Sequence, residues 1–439
     1  MLHDRHDQKV STASADALAA IDRFAHAFVS HGKDALAIFD AVAADPGCVT
    51  VRVHAAALNL FAQTGGAPEL ARPHLAAARA AIGRADARER LYLEAVEAWA
   101  EGRLDLAVER HFALADRAPG DLVANKIGQI HCFSLGDNEG LLRLGRRMAE
   151  ARPDDPYALG MLAFGLEQCH HLDEAETVAR RASALAEARG ESEPWAHHAV
   201  AHVLETRGRV AEGIDWMERN APSWDRCNSF MYTHNWWHLA LFCIDDDAPE
   251  RALALYDRHV WGQLKAYAQD QINAISLLIR LELRGIDVGD RWGDVGQYVT
   301  SRVDEHVQPF LDLHFIYALA RSGQDAAADR MLDSMTNHAL RVPAFHRETW
   351  AEATVPAARG LVAHARGRFA EAADLIGPAR DRLYLIGGSH AQRDLFEQIH
   401  LDALVRADRR GAALDIVGQR LAGRPGIAAL RRLRDRLAS

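Results

Sequence analysis

Short turns recur along the chain at intervals of 34 residues. Gly102, Gly136 and His170 stand in equivalent contexts at that spacing, and Pro119 and Pro153 share it. Each turn follows an apolar segment of helical period and precedes another. A period of this length is typical of stacked helix–turn–helix units. Such a repeat lets one body continue through 439 residues without a single central core.

The spacing of Gly102 and Ala107 matches the tetratricopeptide repeat, in which a small Ala lets two helices pack closely. Later turns are predicted at longer intervals, at Gly208, near Asp246, and at Gly323, Gly367 and Gly411. No segment alternates as a strand would. We therefore predict an all-α fold, a tetratricopeptide-like helical-repeat superhelix (α-solenoid) that closes around a central cavity. Residues 1–100 are expected to form a helical capping region, and residues 101–439 the repeats with a His-rich inner face.

Charge and cysteine content restrict the partners and the compartment. Lys and Arg total 51 against 61 for Asp and Glu, which gives a net charge of -10 and disfavours nucleic acid as a partner. The five cysteines form no Cys-x-x-Cys motif, so a disulfide framework is not expected. No apolar run is long enough for a signal peptide or a membrane span. We therefore expect a cytoplasmic protein.

Two His-x-x-x-His pairs lie close together in segments predicted to be helices. They are His198 with His202 and His234 with His238. Residues four apart share one helical face, so each pair presents two imidazoles a turn apart. Both segments precede predicted turns, and the first helix of each pair lines the inner surface of such a superhelix. Four imidazoles are therefore predicted to converge there.

Other polar and aromatic residues fall on the same predicted inner face. They include Trp195, Trp237, Asp270 and His314. Aromatic walls with a few convergent polar groups are typical of small-ligand pockets. The segment "GGSHAQRD" adds a glycine-rich turn in which Ser389 can cap a helix, and helix N-termini favour anions. In it, Arg393 is predicted to hold a carboxylate or phosphate bidentately.

The order of six separated strings resembles the tetratricopeptide repeat protein 38-like family from about Gly102 onward. They are "WAHHAVAHVLETRGRVAEGIDWM", "HNWWHLALF", "ALALYDRHVWG", "SLLIRLELRG", "FLDLHFIYALA" and "GGSHAQRDLFEQIHLDALV". The resemblance implies a cytosolic, all-helical repeat body. It also implies signature positions at His198, His202, His234, His238, Asp257, His314, His390, Gln392, Arg393 and Asp394. His197 departs from the pattern, where an apolar residue is expected.

These observations favour a pocket that binds a small anionic or carboxylate-bearing ligand and catalyses acid–base or hydrolytic chemistry on it. The predicted catalytic residues are His198, His202, His234, His238 and Asp270. The predicted ligand-binding residues are Trp195, Trp237, His314, Ser389, His390, Gln392 and Arg393. The sequence assigns no metal ligand and no cofactor, and it leaves open whether the chain is an enzyme.

Three other interpretations stay open. The concave face of a repeat protein can hold a peptide segment. The paired histidines can instead bind a metal, with Asp270, Asp312 or Glu205 completing the site. They can also form a structural polar seam between helices. The expected partners are thus a small molecule or a peptide, with neither nucleic acid nor a membrane.

Overall fold

The computed structural model describes all 439 residues of the chain. A two-residue antiparallel hairpin, β1 (Leu2–His3) and β2 (Lys9–Val10), precedes an all-helical body. The α-helices are α1 (Ala15–Val29), α2 (Ala37–Ala44), α3 (Val49–Leu60), α4 (Ala67–Ala80), α5 (Ala87–Ala100), α6 (Leu104–Arg117), α7 (Leu122–Ser134), α8 (Asn138–Ala151), α9 (Pro156–Gln168), α10 (Leu172–Ala188), α11 (Pro194–Thr206), α12 (Val210–Asn220), α13 (Ser229–Asp245), α14 (Pro249–Leu255), α15 (Ala268–Leu283), α16 (Arg291–Val299), α17 (Pro309–Arg321), α18 (Asp325–Ala339), α19 (Val355–Ala365), α20 (Phe369–Ala379), α21 (His390–Arg406), α22 (Arg410–Gly423) and α23 (Ala428–Ala438). The predicted all-α helical-repeat fold is confirmed.

Ten helix–turn–helix pairs share one backbone feature. In each, a residue of the turn adopts a left-handed conformation with φ between 52° and 80°: Gln63, Gly102, Gly136, His170, Gly208, Asp247, Gly285, Gly323, Gly367 and Asp408. A left-handed residue ends the first helix and reverses the chain into the second. The predicted turn at Gly411 is corrected to Asp408, because Gly411 lies inside α22.

The helices predicted to precede these turns are placed almost as expected. The helix predicted for residues 193–206 corresponds to α11, and the helix predicted for residues 229–244 corresponds to α13. The helices predicted for residues 308–321 and 389–405 correspond to α17 and α21. Each boundary lies within one residue of its predicted position.

The chain divides into two compact units. Unit 1 comprises Met1–Val200 and Ser223–Met231, and unit 2 comprises Ala201–Pro222 and Tyr232–Ser439. Helices α11 and α13 are continuous across the points of division. The boundary predicted after residue 100 lies in the turn between α5 and α6, and these two helices pack against each other. The division into residues 1–100 and 101–439 and the capping role of residues 1–100 stay predictions.

Unit 1 buries several polar groups among its helices. Nη1 of Arg88 on α5 lies 2.6 Å from Oδ2 of Asp121, the N-cap of α7. His111 on α6 and His131 on α7 are buried with ring centroids 5.2 Å apart, and none of their four ring nitrogens has a hydrogen-bond partner. Both imidazoles are therefore held in an apolar setting that disfavours their charged form.

In unit 2, α12 and α13 approach closely at Gly213. A Cβ at this position would lie 2.3 Å from the ring of Phe242. Only a residue without a side chain fits there, so Gly213 sets the distance between the two helices. No helix of the chain is long and apolar enough to cross a bilayer.

Candidate functional site

Helices α11 and α13 bring the two His-x-x-x-His pairs together. One ligand atom from each of His198, His202, His234 and His238 lies within 4.8 Å of all the others. All four side chains are buried. We call these residues the four-histidine group. Its formation follows from the four-residue spacing on each helix and from the pairing of neighbouring helices.

Hydrogen bonds from α15 fix the orientation of His234. The hydroxyl of Thr233 donates to Asp270 Oδ1 (3.4 Å), and Asn273 Nδ2 donates to Thr233 Oγ1 (3.1 Å). Asn273 Oδ1 therefore faces Nδ1 of His234 at 2.9 Å and must accept from it. The proton on Nδ1 leaves the lone pair of His234 on Nε2. Asp270 is thus linked to His234 through Thr233 and Asn273, and these hydrogen bonds favour the His234 tautomer that carries its proton on Nδ1.

A carboxylate lies beside His238. Glu205, one turn after His202 on α11, places Oε2 3.4 Å from Nδ1 of His238. Burial raises the pKa of Glu205 to about 7, and the positive charge of Arg424 opposes part of that shift. The Glu205 carboxyl is therefore a group that changes charge near neutral pH.

An arginine on α15 lies next to the same group. The guanidinium of Arg280 is 5.3 Å from the ring centre of Trp237 and donates from Nη2 to the carbonyl of Ala391 (2.8 Å). Burial lowers its pKa to about 10, while Asp394 and Glu205 favour its charged form. The guanidinium of Arg280 is thus buried, and the nearby carboxyl groups of Asp394 and Glu205 favour its charged form.

The two predicted aromatic residues stack on members of the group. The ring of Trp237 lies parallel to that of His234 with centroids 5.2 Å apart. In unit 1, Trp195 stacks on His198 with centroids 4.5 Å apart. The neighbouring Trp236 points elsewhere and stacks on His259. The aromatic rings restrict the orientations that the imidazoles can adopt.

Burial keeps the imidazoles of α13 neutral. It lowers the pKa of His234 to about 4, although the bond to Asn273 opposes this, and it also lowers the pKa of His238. A neutral imidazole offers a lone pair, which is the form that binds metals and accepts protons.

The segment at the start of α21 is organised by contacts within the chain. Ser389 caps the helix by accepting from Gln392 N (3.2 Å), and the Gln392 side chain accepts from Ser389 N (2.9 Å). Arg393 directs Nη1 at the carbonyls of Gly387 and Gly388. His390 is half-buried and lies 3.4 Å from Arg393 Nη2. The predicted capping by Ser389 is confirmed, and Nη1 of Arg393 contacts backbone carbonyls.

Three further polar residues of the sequence analysis lie in separate places. His314 is buried between Phe310 and Phe396, and its Nδ1 lies 2.8 Å from the carbonyl of Phe310. Asp312 pairs with His306 at 2.6 Å. Asp257 forms a partly exposed ion pair with Arg291. The structure therefore associates neither Asp312 nor Asp257 with the four-histidine group.

No protein-family model matches the chain. Among solved structures, the human IFIT1 dimer with m7Gppp-AAAA is similar at 16% identity, with 89% of this chain and 90% of that chain covered and a TM-score of 0.43. The human IFIT1 dimer with PPP-AAAA is similar at 15% identity, with 89% and 91% covered and a TM-score of 0.44. Naa15/Naa10 bound to HypK-THB is similar at 13% identity, with 92% and 67% covered and a TM-score of 0.22.

These comparisons correct one expectation. The net charge led to the exclusion of nucleic acid, but that exclusion is contradicted, since the IFIT1 structures contain capped or triphosphate RNA. The charge of a whole repeat protein does not determine the charge of one of its surfaces. The likeness to tetratricopeptide-type proteins is supported at the level of the repeat, and membership of the tetratricopeptide repeat protein 38-like family stays a prediction.

Proposed function

We propose that the chain is a metal-binding helical-repeat protein in which the four-histidine group holds one divalent transition-metal ion. The observation that carries the proposal is the convergence of four ligand atoms within 4.8 Å of one another. In a tetrahedral zinc site with Zn–N bonds of about 2.05 Å, the ligand nitrogens lie about 3.4 Å apart. Binding of the ion would therefore draw the most widely spaced ligand atoms of the group closer together.

The chemistry of the donors supports an ion of this class. Imidazole is a preferred ligand of zinc, copper, nickel and iron, whereas calcium and magnesium prefer oxygen. In such sites the second ring nitrogen usually donates to a carboxylate or carbonyl, which fixes the ring. Asn273 has that role for His234, and Glu205 lies where it can have it for His238. In both rings Nε2 is left to bind the ion.

The burial of the group favours a structural centre over a catalytic one. A structural zinc site has four protein ligands, whereas a catalytic site keeps one position for water or substrate. The four histidines supply four ligands and are almost inaccessible to solvent. The bound ion would cross-link α11 to α13 and stabilise the folded chain. The acid–base roles of the histidines and Asp270, and the peptide-binding alternative, stay predictions.

The metal content of the purified protein tests the proposal. We expect near-stoichiometric metal by elemental mass spectrometry in the wild type and its loss in His202→Gln and His238→Gln. His314→Gln is the matched control, because His314 is also buried on a helix of unit 2 and lies outside the group. Circular dichroism checks that each variant keeps its helix content.

Absorption spectroscopy of the cobalt-substituted protein adds a readout of geometry. Intense d–d bands are expected for tetrahedral nitrogen ligation, and they should weaken in His238→Gln. Equal metal content in the wild type and both ligand variants would refute the proposal. A wild type that neither contains nor takes up zinc, cobalt, nickel or copper would refute it as well, and would favour the acid–base pocket.

A further inference from the structure

Unit 2 contains a cavity to which the four-histidine group does not contribute. Its volume is about 440 Å³, within the range of about 300 to 1,000 Å³ that is usual for small-molecule sites. It is lined by the ends of α13 and α15 and by residues of α21, α22 and α23. We call it the arginine cavity because five arginines line it: Arg284, Arg420, Arg424, Arg432 and Arg436.

The carboxylates of the arginine cavity do not balance these guanidinium groups. Three aspartates, Asp245, Asp247 and Asp402, line it against five arginines. Arg284 and Arg424 share Asp245, and Arg432 pairs with Asp247. Arg420 pairs with Asp394, which does not line the cavity. Asp402 faces Nε2 of His364 at 2.9 Å instead of an arginine.

The five arginines differ in how their guanidinium groups are held. Arg436 is exposed and no ion pair of its guanidinium is observed, whereas Arg434 on the same helix pairs with Asp435. Arg420 and Arg424 have side chains only 15% and 16% exposed, and the buried Nε of each has no hydrogen-bond acceptor. An anion in the cavity would face the guanidinium groups that line it. Guanidinium groups are also well matched to carboxylate and phosphate oxygens.

The remaining lining is apolar. Ile244, Leu283, Leu401, Val405, Leu430 and Leu433 contribute aliphatic side chains. Such a wall would receive a hydrocarbon group and exclude water from it. We propose that the arginine cavity binds a small amphiphilic anion, in which a carboxylate or phosphate contacts the arginines and an apolar body contacts the aliphatic wall.

Isothermal titration calorimetry with three probes tests the proposal on the full chain. The probes are octanoate, octyl phosphate and inorganic phosphate. We expect saturable binding of at least one octyl probe, at least tenfold tighter than that of inorganic phosphate and weaker at higher salt. The two octyl probes distinguish a carboxylate head from a phosphate head. Equal affinity for octyl phosphate and inorganic phosphate, with no binding of octanoate, would overturn the proposal.

Substitutions on α23 locate the site. Arg436→Gln should weaken binding about tenfold, and Leu433→Glu, which puts a negative charge in the apolar wall, should abolish it. Arg434→Gln is the matched control, since Arg434 lies on the same helix, pairs with Asp435 and does not line the cavity. Binding that is unchanged in both Arg436→Gln and Leu433→Glu would refute the assignment.

The experiment is independent of the metal centre. The titrations are done on the protein as purified and again after dialysis against a chelator, with metal content measured in both samples. Equal binding of the octyl probes in both samples supports the arginine cavity as a site of its own. Binding that is lost together with the metal would overturn the inference and place the anion at the four-histidine group.

Discussion

Oε2 of Glu205 on α11 lies 3.4 Å from Nδ1 of His238 on α13. When the ring binds an ion through Nε2, this carboxylate can hold the proton on Nδ1 and partly compensate the charge of the ion. Outer carboxylates of this kind typically contribute about 10- to 100-fold to metal affinity. Glu205 is therefore predicted to support metal binding by the group without being a ligand itself.

We expect Glu205→Gln to reduce zinc affinity by about 10- to 100-fold while the helix content stays unchanged. Competition with a chromogenic chelator measures the affinity. Glu212→Gln is the control, because Glu212 is a partly exposed residue of α12 that pairs with Arg209. Equal zinc affinity in wild type and Glu205→Gln would show that Glu205 does not support the site.

The contact between α12 and α13 predicts a destabilising substitution outside the group. Gly213→Ala would force a methyl group to 2.3 Å from the ring of Phe242, so the helices must move apart. Overpacking of this kind usually costs about 1 to 3 kcal/mol. Chemical denaturation of the metal-free protein measures the change.

Gly418→Ala is the matched comparison for that measurement. Gly418 also lies within a helix, but a Cβ there would meet nothing within 4 Å. We expect it to stabilise the protein by about 0.5 to 1 kcal/mol, because alanine restricts the unfolded chain. The same loss of stability in both variants would contradict the close approach at Gly213.

The buried histidines of unit 1 predict sensitivity to acid. Burial lowers the pKa of His111 from 6.5 to about 4. Between these values the unfolded chain binds a proton that the folded chain does not, so stability is full above about pH 6.5 and falls as the pH decreases. The loss from His111 alone is on the order of 3 kcal/mol between pH 7 and pH 4.

His111→Phe should remove this contribution. We expect urea midpoints of the variant to fall less steeply between pH 7 and pH 4 than those of the wild type. His171→Phe is the control, because His171 is exposed. If the pH dependence of His111→Phe equals that of the wild type, the ring is not held in its neutral form.

The sequence predicts the helices and turns well because their signals are local. Apolar period, turn residue and N-cap lie within one segment, so the bounds of α11 and α17 are found to within one residue. The convergence of the four histidines can also be predicted from the sequence. A four-residue spacing places two histidines on one face of a helix, and a helical repeat makes consecutive helices neighbours.

The supporting residues are harder to predict. Thr233 and Asn273 orient His234 from positions that no motif marks. Arg280 had a signal, an isolated cation within the apolar "SLLIRLEL" segment, which indicates a buried charge with a specific partner. The arginine cavity had none, because Asp245 and Arg424 lie 179 positions apart and come together only through packing.

Four of the ten left-handed turn positions carry a side chain: Gln63, His170, Asp247 and Asp408. Asp and His enter this region of backbone space more readily than branched residues do. The feature that recurs along the chain is therefore a positive φ angle, and several different residue types adopt it. Units aligned by amino-acid identity at this position agree in six cases, whereas units aligned by φ agree in all ten. The repeats are thus more regular in backbone conformation than in amino-acid sequence.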